Sequence, residues 1–534
     1  MLVLSVWACA EPTSPRPRDP VTDDTAAPTS TSTPPRCADG TAPVALPETE
    51  GSGLYDRVGD FTVSLADGGA FTWSASHDGC ETLLFVPSRP VQESGSPPLW
   101  SRDVEELLET LPDSTRVFFV SNAPDRPGAT ADLSQIQDGL DAALAGLPPR
   151  QREAWAERLF VVADRAADLD GWVGEAARAP GFGFGVDRSR RLRWIGSFAD
   201  GSRYDAGIGW FQSNLAFAAH EAIYWEFEAR REARLEAQQA TVVPVFAGER
   251  LEDPGWAGVR GTATFRVPDD LARYDQLDLD LTLGCVGDGE FGECPAWDYL
   301  VDAWLCEGTD PTDCPTELGR WITTYHREGR WTVDARHVLP LLRPGEERTV
   351  AFYTQQPYET TLSLRFFDDP EATVAPLATS PLFRGGTLGA AYNDERVPVE
   401  VPVPAGAEKV ELTVLISGHG GEAPWNCAEF CVTDHHFRVN GVEHVVSLSG
   451  AGSPTGCQDD VERGTVPNQF GTWFYGRSNW CPGREVEPIR IDVTADVTPG
   501  EPATITYEGL YRGADYPGVA ANIDLSSWLV SWGR

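Results

Sequence analysis

Eleven cysteines, none of them in a Cys-x-x-Cys spacing, constrain this chain more than any other feature. Zinc ribbons and working thiol–disulfide motifs need that spacing, so both are disfavoured. Local pairs suit bridges instead: Cys285 with Cys294, Cys306 with Cys314, Cys427 with Cys431, Cys457 with Cys481, and Cys37 with Cys80. Spacing alone does not prove this connectivity. Bridges persist only in an oxidising compartment, which predicts export. These pairs leave Cys9 over. It lies near the end of Met1–Ala10, MLVLSVWACA, a short apolar run closing in small residues. That run resembles the end of a bacterial lipoprotein signal, and the resemblance implies lipidation at Cys9 and a place in the cell envelope or outside it.

Residues 11–35 are rich in Pro, Ser and Thr and cannot bury a core, so 1–36 reads as a signal and disordered tether. The formal net charge of −39 argues against nucleic acid or an anionic membrane surface as a partner. Any membrane contact would run through Cys9, and a monomer is expected. No other segment is apolar enough to span a bilayer.

The fold class expected is multidomain: an N-terminal α/β domain followed by two all-β antiparallel jelly-roll sandwiches. Over 37–240, buried apolar runs such as Glu81–Val86 and Arg116–Val120 alternate with helical spacing at 103–111, 133–147 and 151–159. A long amphipathic helix is expected over Trp210–Gln239. The order of elements, with Phe184-Gly185-Val186-Asp187 before Arg193-Trp194-Ile195-Gly196, resembles the thioredoxin-like family. Val86-Pro87-Ser88-Arg89-Pro90 stands where that family carries its two cysteines, so the resemblance implies a redox-inactive spacer or docking module. From Thr241 onward, short strand-like runs are bounded by Gly, Pro, Asp and Asn. The length suits two sandwiches, 241–373 and 374–534, divided in the Pro- and Gly-containing stretch 369–386.

Two acidic residues sit in unusual company. Glu429 lies inside the short loop Asn426-Cys427-Ala428-Glu429-Phe430-Cys431, which a bridge would make rigid. Asp298 follows Cys294-Pro295-Ala296-Trp297. Two carboxylates, each beside a candidate bridge and an aromatic, suit general acid–base work at a preorganised site. The plainer reading is a pair of stapled turns with solvated acids.

These boxes occur in order with Gly319-Arg320-Trp321-Ile322-Thr323-Thr324-Tyr325, Ile416-Ser417-Gly418-His419-Gly420 and Arg477-Ser478-Asn479-Trp480-Cys481-Pro482-Gly483. Together they resemble the peptide-N-glycosidase F family, over about Thr241 to the C-terminus. The resemblance implies two eight-stranded sandwiches with the active site in the cleft between them. It implies the bridges Cys285–Cys294, Cys427–Cys431 and Cys457–Cys481. It implies hydrolysis of the amide joining an Asn side chain to the first N-acetylglucosamine of an N-glycoprotein or glycopeptide, with no cofactor and no metal. Asp298 would be the base and Glu429 the residue orienting sugar or water. Arg477 would be a donor, and Trp297, Trp480 and Tyr325 would offer flat surface to a sugar.

The chain departs from that pattern in four places. Gln355 stands for an acidic residue and cannot ionise, Pro357 stands for a sugar-site tryptophan, Tyr299 stands for the arginine after the catalytic acid, and His419 stands for an aromatic. Glu359 is a candidate substitute for the missing acid. These departures motivate the rival reading, a glycan- or protein-binding module without catalysis. A third reading, a copper site at His435-His436, lacks a methionine ligand, since Met1 is the only methionine.

Overall fold

A computed structural model describes residues 36–89, 97–179, 181–251, 259–287, 289–290, 293–420, 427–518 and 521–533. The candidate lipidation site Cys9, the tether up to 35, and Asn426 lie outside the described residues.

The N-terminal unit is built on a five-stranded sheet. Strands Thr82–Pro87, Thr115–Val120 and Leu159–Val161 run parallel, and Phe184–Val186 and Leu192–Trp194 continue the sheet antiparallel. The continuous apolar run Thr82–Pro87 is explained by burial on both faces. Leu83 and Phe85 face a core with Trp73, Phe118 and Trp172, whereas Leu84 and Val86 face Trp100, Ile136 and Trp225. Helix Arg126–Gly146 starts behind Asp125, whose side chain accepts from Gly128 N, and helix Pro149–Ala156 begins on a proline that has no N–H to lose. The helix expected from Trp210 begins at Ala218 instead and ends at Ala237. Trp210–Ser213 pairs with Ala199–Asp205 as a hairpin, and Asn214 caps the turn that follows.

The remainder forms two β-sandwiches of antiparallel sheets. In the first, one sheet has the order Thr241–Leu251, Tyr358–Phe367, Gln276–Gly284, Gly329–Asp334. The facing sheet has the order Val259–Arg266, Glu347–Thr354, Leu300–Leu305, Thr316–Ile322, Arg484–Glu485. The last of these strands is lent by the second half of the chain, with Trp321 opposite Glu485. In the second sandwich the orders are Ala375–Leu388, Ala521–Gly533, Lys409–Gly420, Ile489–Asp492, and Val399–Pro402, Pro502–Leu510, Asp434–Val439, Val442–Ser447. Alternation of buried and less buried positions along Tyr358–Phe367 is the period of two that a one-sided core requires.

Within the stretch read as the boundary between the sandwiches, a strand of the second sandwich begins at Ala375. Ala375–Leu388 pairs with Ala521–Gly533 through three register shifts. It lies on a sheet edge, where Pro376 and Pro381 cost no ladder bond to a second neighbour.

Between the sandwiches, Ile322, Leu415, Trp480, Val486 and Trp528 form one buried cluster. Arg320, paired with Glu317 at 2.8 Å, reaches across to Ser417 Oγ at 2.8 Å and to the Asp524 carbonyl at 2.6 Å. The helix Ala218–Ala237 lies on the first sandwich, where Arg330 bridges Glu232 and Asp280. Bridges join all five expected cysteine pairs: 37–80, 285–294, 306–314, 427–431 and 457–481. No helix among the described residues is long and apolar enough to cross a membrane.

Candidate functional site

Asp298 sits at the mouth of strand Leu300–Leu305 and is held from both sides. The Thr323 hydroxyl donates to the Trp297 carbonyl at 2.8 Å and accepts from Tyr299 N at 2.7 Å. Glu429 projects from the loop closed by Cys427–Cys431. That loop lies against strand Lys409–Gly420 at Gly418, where a Cβ would come within 2.1 Å of the Ala428 carbonyl oxygen. Only glycine permits that approach. Gly420 N then donates to Glu429 Oε2 at 3.4 Å.

Arg477 joins the two acids. Its Nη2 lies 3.2 Å from Asp298 Oδ2, and its Nε lies 3.2 Å from Glu429 Oε1. Its side chain is 1% exposed, while those of Asp298 and Glu429 are 16% and 19% exposed, so the acids can meet a ligand and the guanidinium stays beneath them. The fork is fixed by the Tyr475 carbonyl at 2.9 Å and by Thr472, whose carbonyl lies at 3.2 Å. The Thr472 hydroxyl adds a contact at 3.3 Å; the two carbonyl anchors carry no sequence signal, because any residue offers a backbone oxygen.

Burial raises the pKa of Asp298; Arg477 and a hydrogen bond from Tyr325 oppose it. Burial likewise raises Glu429, opposed by Arg477 and reinforced by the charge of Asp298. A carboxylate lifted from its ordinary value is a better base, because proton transfer is most effective when pKa and working pH are close. Burial also raises the Tyr325 hydroxyl, so it stays a proton donor.

Of the aromatics, Trp297 is the free surface: it is 60% exposed, with its ring 6.4 Å from that of Tyr325. Trp480 and Tyr325, expected to face a sugar, are instead buried. Trp480 donates to the Gly418 carbonyl at 2.7 Å and packs against His419 and under the Arg477 guanidinium. Its bulk fills the joint between the sandwiches, which leaves no open face. Tyr325 lies 3.4 Å from Arg477 through its hydroxyl and acts from within. Gln355 lies just beyond strand Glu347–Thr354 and, among the described residues, makes no hydrogen bond to the acid pair. Glu359 lies on the other sheet of the first sandwich, opposite Gly284 and Arg250. Both ring nitrogens of His435 are engaged, by Tyr507 at 2.8 Å and Thr433 at 3.1 Å, and His436 pairs with Glu443. No cluster suited to a metal ion occurs among the described residues.

Residues 387–531 match the family model described as peptide-N-glycosidase F, C terminal. That segment resembles peptide-N-glycosidase F. It holds Glu429 and Arg477; Asp298 lies outside it. Among solved structures, a peptide-N(4)-(N-acetyl-β-D-glucosaminyl) asparagine amidase is similar at 18% identity and a TM-score of 0.46, covering 55% of this chain and 96% of its own. PNGase F, a glycosylasparaginase from Flavobacterium meningosepticum, is similar at 18% identity and a TM-score of 0.44, with the same coverage. PNGF-II is similar at 15% identity and a TM-score of 0.43, covering 57% of this chain and 67% of its own. No curated protein sequence matches the chain.

Proposed function

We propose that this protein is a glycan-releasing amidase, which hydrolyses the amide between an Asn side chain and the first N-acetylglucosamine of an N-linked glycan. The observation that carries the reading is the triad of Asp298, Arg477 and Glu429, assembled from both halves of the chain beside the exposed ring of Trp297. The match of 387–531 to the family model supports it.

In this reading Asp298 takes a proton from water as the water oxygen adds to the amide carbonyl. A C–O bond forms, and the carbonyl oxygen takes up negative charge that a nearby N–H or O–H donor offsets. Collapse breaks the C–N bond, and Asp298 returns its proton to the leaving nitrogen. The products are an aspartate side chain and a glycosylamine. Glu429 orients the sugar or the water. Arg477 keeps both acids ionised near neutrality and holds them at fixed separation. Five disulfides suit an oxidising compartment, where N-glycoproteins are met.

The test uses the oxidised full chain with a defined N-glycopeptide in oxygen-18 water. Mass spectrometry should find Asn converted to labelled Asp, with the conversion lost in Asp298→Asn. Glycan binding without conversion would favour the rival reading, a binding module, to which the non-ionising Gln355 lends support.

A further inference from the structure

The N-terminal unit is more than a spacer. We infer that it completes the candidate site: Glu221, on its long helix, is a positioning residue that sets Arg477 through the loop 464–476. This rests on the amidase reading of the Asp298–Arg477–Glu429 triad.

The loop reaches the N-terminal unit at Asn468. This residue is fully buried in a left-handed conformation, φ 52°. Its carbonyl accepts from Ser197 N at 2.7 Å, and its Nδ2 donates to the Phe217 carbonyl at 2.9 Å and to Glu221 Oε1 at 3.0 Å. The approach is so close that a Cβ on Gly196 would lie 2.0 Å from the Asn468 carbonyl oxygen. The same Glu221 oxygen accepts from Gly196 N at 2.8 Å and from Arg327 Nη1 at 2.7 Å. Arg327 in turn donates to the Pro467 carbonyl at 2.7 Å and pairs with Glu290. One fully buried carboxylate of the N-terminal unit thus gathers the loop and the first sandwich.

The knot passes directly to the site. Gln469, next to Asn468, accepts from Tyr325 N at 2.9 Å, and the Tyr325 hydroxyl lies 3.4 Å from Arg477. Four to seven residues beyond Asn468 come Thr472 and Tyr475, whose carbonyls fix the guanidinium. Between them Trp473 and Phe474 are fully buried, Phe474 against Phe211 of the N-terminal hairpin with ring centroids 4.8 Å apart. The anchors of Arg477 are therefore seated on the N-terminal unit. A buried polar network of this kind specifies a geometry only while each member is satisfied. Loss of Glu221 removes one of the three bonds that hold Asn468 and leaves Arg327 short of a partner.

The test compares Glu221→Ala with the conservative Glu221→Gln and with Asn468→Gly, in which glycine keeps the left-handed backbone. All are made in the full chain. In Glu221→Ala and Asn468→Gly, kcat for glycan release should fall about ten-fold or more with KM little changed. The acid limb of kcat/KM should move to higher pH, because Arg477 no longer holds the carboxylates down. Glu221→Gln should restore most of kcat. Lost stability alone would scale the rate with the folded fraction and leave the pH limb in place, and that result would overturn the proposal. Hydrogen exchange provides a readout independent of turnover: peptides spanning 464–478 should exchange faster in both disruptive variants, with strands 409–420 and 521–533 unchanged. If the parent releases no glycan, the amidase reading fails and the exchange arm still decides the positioning. Unchanged exchange across 464–478 would sink it.

Discussion

Arg477, from the second half of the chain, holds Asp298 of the first sandwich at 3.2 Å. The ion pair spans the joint between the two sandwiches, so the site exists only when both are folded and docked. Asp298→Asn keeps the shape and removes the carboxylate proposed as the base. Glycan release should drop by about 10²–10⁴-fold with an unchanged melting temperature, read by single-turnover mass spectrometry and thermal denaturation.

The pH profile follows from the same pair. Asp298 must be ionised to accept a proton, and burial lifts it above its ordinary 3.8. Activity should therefore be lost as pH falls through a value higher than a free aspartate would give. Arg477→Met withdraws the group that opposes the lift, so the acid limb should move further up. It also leaves two half-buried carboxylates facing each other without a cation, and disrupting such a pair costs about 3–5 kcal/mol when burial is complete. Rate measurements of the variant across pH 4–9 check the direction; a limb that stays in place would detach Arg477 from the titration.

Much of this arrangement is legible in the sequence, and the illegible parts share a cause. The five cysteine pairs are local or nearly so, and the acids advertise themselves through adjacent cysteines and aromatics. Strands such as Lys409–Gly420 and Tyr358–Phe367 announce themselves by apolar runs or by alternation. Partners far apart in the chain leave no such trace. Nothing near Asn468 signals that its side chain meets Glu221, and nothing near Glu485 signals that it extends a sheet at Trp321. Trp480 is misread for the same reason: beside a catalytic box an aromatic suggests a sugar platform, and only the fold shows it filling the joint. The prolines and glycines of 369–386 suggest a boundary, and sequence does not reveal that an edge strand already starts there at Ala375.

Stability should carry its own pH signature. Asp302 is pushed up to about 7, by burial first and then by the charge of Glu317. Its folded pKa lies above the ordinary 3.8, so the folded protein holds this proton where the unfolded chain has lost it. The contribution is therefore present at low pH and disappears as pH rises between about 4 and about 7. Asp302→Asn keeps an acceptor for Trp304 Nε1, 2.5 Å away, and removes the titration. The melting temperature of the variant relative to the parent should rise across that window and level off above it. A constant difference would show that Asp302 titrates normally.

The Cys427–Cys431 bridge closes a loop with a sequence separation of 4, whereas Cys457–Cys481 closes one of 24. On the chain-entropy estimate the first stabilises by about 2 kcal/mol and the second by about 3.5 kcal/mol. Function should rank them the other way. Cys427→Ser/Cys431→Ser releases the loop that aims Glu429 and should depress kcat strongly for a small loss of melting temperature. Cys457→Ser/Cys481→Ser should cost more stability. Paired denaturation and turnover measurements check the ranking, and equal losses of kcat per degree would show that the small bridge has no part in aiming the acid.

Trp297 offers the cleanest separation of binding from chemistry. Its ring is 60% exposed and, among the described residues, packs against the site at Tyr325, so truncation removes surface without opening the core. An aromatic contact of this kind contributes about 0.5–1.5 kcal/mol, and Trp297→Ala should raise KM by about two- to twelve-fold with kcat nearly intact. The same variant should bind a released chitobiose core more weakly by the same factor in calorimetry. If kcat falls instead and binding holds, Trp297 acts on Asp298 through their shared turn, pinned at Thr323, and the sugar lies elsewhere in the cleft.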